Sequence, residues 1–287
     1  MSSTPPFGRT DTQPRPRRAY VDETERKTPG DTWYLMCAVT VNPDSATTRS
    51  TMQELDRIAH HQPTSGQLNR YAIHASQMWL TQVGQRELFE AETIIAADPS
   101  LHLDVAARRV TTHQAFEQAR QICVAHLVTH MDADVQIVTF DTRDPIETKT
   151  RKPKPGVDVA THRQLVNHHD LATINRLKAN GRVKANVDIV WANDLGNPHL
   201  WIPDVIAYAC GQALASGNAL RLARLASHLH ITEAVTNPDG ADHVPATGIA
   251  DKLESLRRLA LERRNQNSDR KMEPTEALHR GFDRPLA

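Results

Sequence analysis

The chain has 287 residues, room for one large domain or two small ones. Lys and Arg number 34 and Asp and Glu number 34, so there is no global basic field for non-specific nucleic-acid binding, and any such binding needs a local patch. The three cysteines (Cys37, Cys123, Cys210) are far apart and each sits in an apolar stretch, which argues against a disulfide framework or a cysteine zinc site and fits a reducing compartment. The first residues lack the apolar core of a signal peptide and no apolar run approaches the length of a membrane span, so the expectation is a cytoplasmic protein with no membrane partner.

Residues 1–18 are Ser, Thr, Pro and Arg with little to bury, and are expected to be a disordered tail. Residues 19–22 read as a short strand that runs into two adjacent acids, Asp22 and Glu23. Residues 23–31 are polar, contain Pro29-Gly30 and read as a turn. Residues 32–41 are rich in β-branched and aromatic residues and read as a second strand, antiparallel to the first because the connection is short. Ser45 or Thr47 caps a helix in which Met52, Leu55, Ile58 and Ala59 recur at helical spacing. Residues 62–66 break it, and residues 68–97 read as a long helical stretch split by Gly84. Residues 45–98 together form a helical insertion. Residues 101–110 read as a third strand.

Thr111 or Thr112 caps the next helix, with Phe116, Ala119, Cys123, His126, Leu127 and His130 on one face and Glu117 one turn inside its start. Residues 135–140 (V-Q-I-V-T-F) are the clearest strand in the chain, ended by Asp141. Residues 142–156 combine three prolines and Gly156 with Lys149, Arg151, Lys152 and Lys154, and read as a basic loop. Residues 159–180 read as a helix closed by Gly181, residues 187–191 as a strand and residues 193–198 as a turn. Residues 200–214 read as a helix with Pro203 and Asp204 in its first turn, and residues 220–231 as one more packed helix. Residues 232–287 are expected to lie outside the domain spanning 19–231, as a linker, an amphipathic helix over 249–264 and a polar tail.

Antiparallel strands followed by strands alternating with helices imply a mixed sheet with crossover connections. Four acids fall at comparable places: Asp22 ending the first strand, Glu117 in a helix, Asp141 after the fourth strand, Asp204 in a late helix. Strand C-terminal ends are where open α/β sheets place their sites, and hard divalent cations take carboxylate oxygens. Each acid also has an ordinary reading as a turn residue, a cap or a partner of the helix dipole. Glu23 should point to the face opposite Asp22, as a reserve ligand or a salt-bridge partner. His126 and His130 have the spacing of two ligands on one helical face, but no third ligand accompanies them. Lys149, Arg151, Lys152 and Lys154 follow Asp141 closely and would lie at the rim of its site, where they suit a nucleic-acid backbone. A solvated loop accounts for them equally well, and few aromatics flank them.

This order of elements and acids resembles the ribonuclease H-like fold, whose nucleases carry acids on the first strand, on the first helix, after the fourth strand and on a late helix. More narrowly, Y-V-D-E-T followed by W-Y-L-M-C-A-V-T-V, and later L-W-I-P-D-V-I-A-Y-A, resemble the two signature stretches of domain-of-unknown-function family 3800. That family opens with Asp-Glu-Ser-Gly and closes with an apolar-x-Ala-Asp-Leu-Ile-Ala helix. The similarity covers about residues 20–214. Asp22 and Asp204 match by motif, Asp141 and Glu117 by position. Thr24-Glu25 stands where the family has Ser-Gly, and Pro203 where it has Ala. The resemblance implies a ribonuclease H-like α/β fold, with a mixed five-stranded sheet flanked by helices and a helical insertion. It also implies phosphodiester hydrolysis with two Mg or Mn ions held by Asp22, Glu117, Asp141 and Asp204. The alternative expectation is a catalytically silent binding or regulatory module of the same fold. Oligomeric state is left open.

Overall fold

A long antiparallel hairpin occupies the middle of the sheet, formed by β1 (Arg17–Thr28) and β2 (Asp31–Val41). The computed structural model describes residues 15–28, 30–61, 72–110, 116–142, 159–217, 219–225, 228–239 and 243–268. Most of the expected N-terminal tail, the Thr111 and Thr112 caps, nearly all of the basic loop over 142–156 and the end of the C-terminal tail lie outside the described residues.

The polar stretch 23–31, expected as a turn, is strand almost throughout. Its charged side chains alternate along β1 while its backbone pairs with apolar β2, as in Thr24↔Leu35 and Arg26↔Trp33. A long ladder outweighs the weak turn preference of the polar residues. Just before β2, Gly30 takes φ +82°, open to glycine without strain. Residues 33–41 of β2 are all buried. Alternation sends Trp33, Leu35, Cys37 and Val39 into one core and Tyr34, Met36 and Ala38 into the other.

The sheet has six strands, not five, in the order β5-β4-β1-β2-β3-β6. β3 (His102–Arg109) runs antiparallel to β2, and β4 (Val135–Asp141) runs parallel to β1. β5 (Asp188–Ala192) runs parallel to β4. The sixth strand, β6 (Leu229–Glu233), pairs parallel with β3 where one helix was expected over 220–231. Among the described residues of that stretch, Leu222–Leu225 alone is helical, as α7. The apolar run is shared: Leu222, Ala223 and Leu225 pack as a single turn, and the β-branched L-H-I-T pattern completes the sheet edge.

Helices cover both faces. One face carries α1 (Ala46–His61), α2 (Ala75–Met78), α3 (Gln82–Ala97), α6 (Trp201–Ser216) and α8 (Ile249–Ser268). The other carries α4 (Phe116–His130) and α5 (Val159–Ala179). α6 lies directly on β1 and β2, and a short 3-10 turn over Pro198–Leu200 leads into it. α8 belongs to the same core, with Ile249, Leu253 and Ala260 buried against it, so the packed unit runs past residue 231. The insertion breaks before Gly84, between α2 and α3. Thr81 caps α3 by accepting the Gly84 N–H at 3.0 Å, and a Cβ on Gly84 would stand 2.2 Å from the Met78 carbonyl oxygen. All three cysteines are buried free thiols. No helix among the described residues is long and apolar enough to cross a membrane.

Candidate carboxylate site

Alternation along β1 decides which side chains reach the α6 face. Tyr20 lies in the core beneath α6, whereas Val21 lies in the core beneath α4, so Asp22, Thr24 and Arg26 follow Tyr20. α6 approaches this face closely: a Cβ on Gly211 would meet Thr24 Cγ2 at 3.2 Å. Parallel pairing of β1 with β4 ends at Val21↔Phe140. The next residues on each strand are Asp22 and Asp141, which therefore stand side by side on the α6 face. β5 ends level with them, pairing Asp141↔Ala192. From above, the first turn of α6 supplies Asp204.

Protein donors already hold these acids. The Glu23 N–H donates to Asp22 Oδ1 at 2.7 Å, and the Ala75 N–H donates to Asp204 Oδ2 at 2.8 Å. Next to Ala75, His74 Nε2 stands 2.7 Å from Asp194 Oδ2, in the turn after β5. The helical insertion thus reaches over the sheet and touches two acids from two different elements.

The electrostatics follow from crowding. Burial pushes the Asp22 carboxyl well above its usual range, and the neighbouring charges of Asp204, Asp141 and Glu23 push it further. Burial likewise raises Asp141, to about 7, with Glu23, Asp194 and Asp204 adding to it. Asp194 goes the other way: burial would raise it, but the hydrogen bond and charge of His74 outweigh that and lower it. Asp22, Asp141 and Asp204 therefore share one field, as their order in the sequence implied. Asp194 and His74 join them, and the sequence reading missed both. Asp194 had a signal: it follows a third parallel strand just as Asp141 follows the second, but it was absorbed into a turn. His74 had none, because its partner comes from a distant loop.

Glu117 sits half-buried at the start of α4, on the other side of the sheet core from α6, and is not among the charges that weigh most on Asp22 or Asp141. One turn further along α4, the fully buried Arg120 takes Glu23 in an ion pair. It also grips Asp170 of α5 through Nε and Nη2 at 2.7–3.1 Å and donates to Tyr34 Oη at 3.0 Å. Glu23 is thus a salt-bridge partner on the opposite face from Asp22. A buried guanidinium with carboxylates from two elements is a satisfied charge, and removing any partner strands the rest.

His126 is buried on α4, its ring nitrogens 3.2 Å and 3.1 Å from the hydroxyls of Thr236 and Thr232. Burial and the nearby His130, His243 and His230 lower it to about 4, a neutral structural histidine. Lys149, Arg151, Lys152 and Lys154 lie outside the described residues.

The donor set suits a hard dication: several carboxylates from rigid elements, crowded enough that their anionic forms are disfavoured without a counter-charge. Among the described residues, however, no three His, Cys, Asp or Glu side chains are gathered into a ready-made ion cage. The Ala75 N–H already occupies one oxygen of Asp204, and His74 one of Asp194. No protein-family model and no curated protein matches the chain, so the resemblance to domain-of-unknown-function family 3800 rests on the two motifs alone.

Proposed function

We propose that the protein is a metal-dependent phosphodiesterase acting on nucleic acid, of the ribonuclease H-like kind. One observation carries this reading. Asp22, Asp141 and Asp204 come from a central strand, its parallel neighbour and the helix lying on the central hairpin; Asp204 raises the proton affinity of both Asp22 and Asp141, and Asp141 adds to that of Asp22. Carboxylates forced together at the ends of parallel strands are costly for a fold, and function is the usual reason for such a cost. Antiparallel strands first, then parallel strands through helical crossovers, are the layout that the sequence motifs implied.

Asp22, Asp141 and Asp204 would hold the ion, Mg or Mn. Bound there, a divalent cation supplies charge neutralisation and a polarised water beside the scissile phosphate. The chain's own groups do the rest. Asp22 is fixed by the Glu23 N–H, and Glu23 by Arg120, so the first acid is anchored through the core to α4 and α5. Asp141, raised to about 7, is partly protonated near neutral pH. His74 keeps Asp194 ionised beside it.

The test is cleavage of single-stranded, duplex and hybrid nucleic acids with Mn²⁺ or Mg²⁺ by the full chain and by Asp22→Asn and Asp204→Asn. Each substitution should lower cleavage by about a hundredfold or more, with the fold retained. Cleavage that survives both would sink the site. A second reading, a catalytically silent binding or regulatory module, is favoured by the donors from His74 and Ala75 that already occupy the acids. Absence of both cleavage and Mn²⁺ binding in the unaltered chain decides for it.

A further inference from the structure

His74 stands at the head of α2 in extended backbone, yet its side chain makes no cap for that helix. Ser, Thr, Asp or Asn normally fills such a position and bonds to the amides of the first turn. Here the Ala75 N–H finds its acceptor in Asp204, and the imidazole turns to Asp194. The two contacts are anchored differently. Ala72, Ile73, Ala75 and Met78 around the corner are buried, and Gln85 Nε2 donates to the Trp79 carbonyl at 2.8 Å, so the backbone that carries the Ala75 amide is held. The His74 side chain is 31% exposed and can leave Asp194 by a change of rotamer, with that backbone in place.

Asp194 is fixed from its own side. Its Oδ1 accepts the Leu195 N–H at 2.9 Å, and its carbonyl oxygen accepts the indole N–H of the buried Trp201 at 3.1 Å. Of the pair, the imidazole is therefore the partner that can move. The neighbouring charges that weigh on Asp22 and Asp141 are all acids, with Asp194 among those acting on Asp141. The charge that weighs on Asp194 is His74, whose Nε2 stands 2.7 Å from Oδ2. A divalent cation among Asp22, Asp141 and Asp204 acts on this pair twice: it attracts the Asp194 carboxylate and repels the imidazolium. Both effects part His74 from Asp194.

We propose that His74 is a displaceable counter-ion of the carboxylate site, holding Asp194 in the metal-free chain and giving it up to an arriving divalent cation. The choice of cation rests on the phosphodiesterase reading. Beyond that reading, one residue of the helical insertion becomes a competitor of the ion and sets how tightly the site holds it.

The test is Mn²⁺ affinity, by isothermal titration, of the full chain, His74→Ala and His74→Lys. His74→Ala should bind Mn²⁺ at least about tenfold more tightly, because a competing charge is gone, and His74→Lys, which keeps a cation, should bind no more tightly than the unaltered chain. In the unaltered chain, saturating Mg²⁺ should shift the His74 imidazole resonances, a readout that stays decisive if a variant does not fold. Equal or weaker Mn²⁺ binding by His74→Ala, the result for a purely structural histidine, overturns the counter-ion and leaves the phosphodiesterase reading in place. Tighter binding by both variants overturns it too, because bulk and not charge is then the cause. His74 resonances that Mg²⁺ leaves unmoved also overturn it. Mn²⁺ bound by neither the unaltered chain nor His74→Ala overturns both readings. The expected order of affinities without any cleavage supports the counter-ion and removes the phosphodiesterase reading.

Discussion

Burial and like charge act on Asp141 in the same direction, and the sign of the consequence is fixed. Its carboxyl titrates near 7 in the fold against 3.8 ordinarily. Between those values the folded chain keeps a proton that the unfolded chain has released. Its contribution to stability is therefore fully present below about pH 4, falls as pH rises toward about 7 and is lost above that. Asp141→Asn removes the penalty. In chelator at pH 8 the variant should be more stable by on the order of 2 kcal/mol, and at pH 4 it should show no gain. Denaturant melts at the two pH values check this; a gain at pH 4 equal to that at pH 8 would refute the cause. At this scale the motif-bearing residues were legible. Asp22 and Asp204 sit in sequence contexts that resemble a known pair. Arg120 was not legible: an arginine in a helix normally faces water, and only the arrival of Glu23, Asp170 and Tyr34 from three other elements makes its burial tolerable.

The corner between α2 and α3 shows what an element boundary does for the site. Gly84 was read as the break itself. In the structure the break lies ahead of it, and Gly84 is instead the residue that lets the start of α3 press onto the Met78 carbonyl. The same corner carries His74 and Ala75, whose contacts reach Asp194 and Asp204. Gly84→Ala puts a methyl 2.2 Å from that backbone oxygen, and backbone cannot yield as a flexible side chain can. The expected cost is about 1–3 kcal/mol, with faster hydrogen exchange at the Ala75 amide as the corner opens. An unchanged melting temperature and unchanged exchange there would show that the corner does not hold the insertion over the acids. β1 carries the complementary lesson. Its second half looks like a polar turn when taken alone, and becomes strand because β2 is a long apolar partner with every group to pair.

For the molecule as a whole, the question was where the packed unit ends. Residues 232–244 are rich in Pro, Gly and Asp and read as a linker, which put the amphipathic helix expected over 249–264 outside the domain. Yet α8 lays Leu253, fully buried, onto the side of the sheet that β6 completes. Glu233 at the end of β6 accepts the Thr247 and Ala250 N–H groups at 2.8 and 3.1 Å, fixing the start of α8 to the sheet. Leu253→Ala should therefore cost about 2–5 kcal/mol, as for a core leucine. A helix outside the domain would lose less than about 0.5 kcal/mol, and thermal or denaturant unfolding distinguishes the two.

Sequence by itself determined the α/β class of fold and the order of most elements, and it singled out Asp22 and Asp204 by motif. Hydrophobic period, turn residues and strand-end acids are local signals, readable within a window of one element. Tertiary structure decided the rest: the sixth strand, the burial of α8, the Arg120 anchor, and the place of Asp194 and His74 beside Asp141. Each of these depends on a partner far away in the chain. A polar residue's role is set by what satisfies its charge or hydrogen bonds, and for Glu23, Arg120, His74 and Asp194 that partner is visible only once the chain is folded.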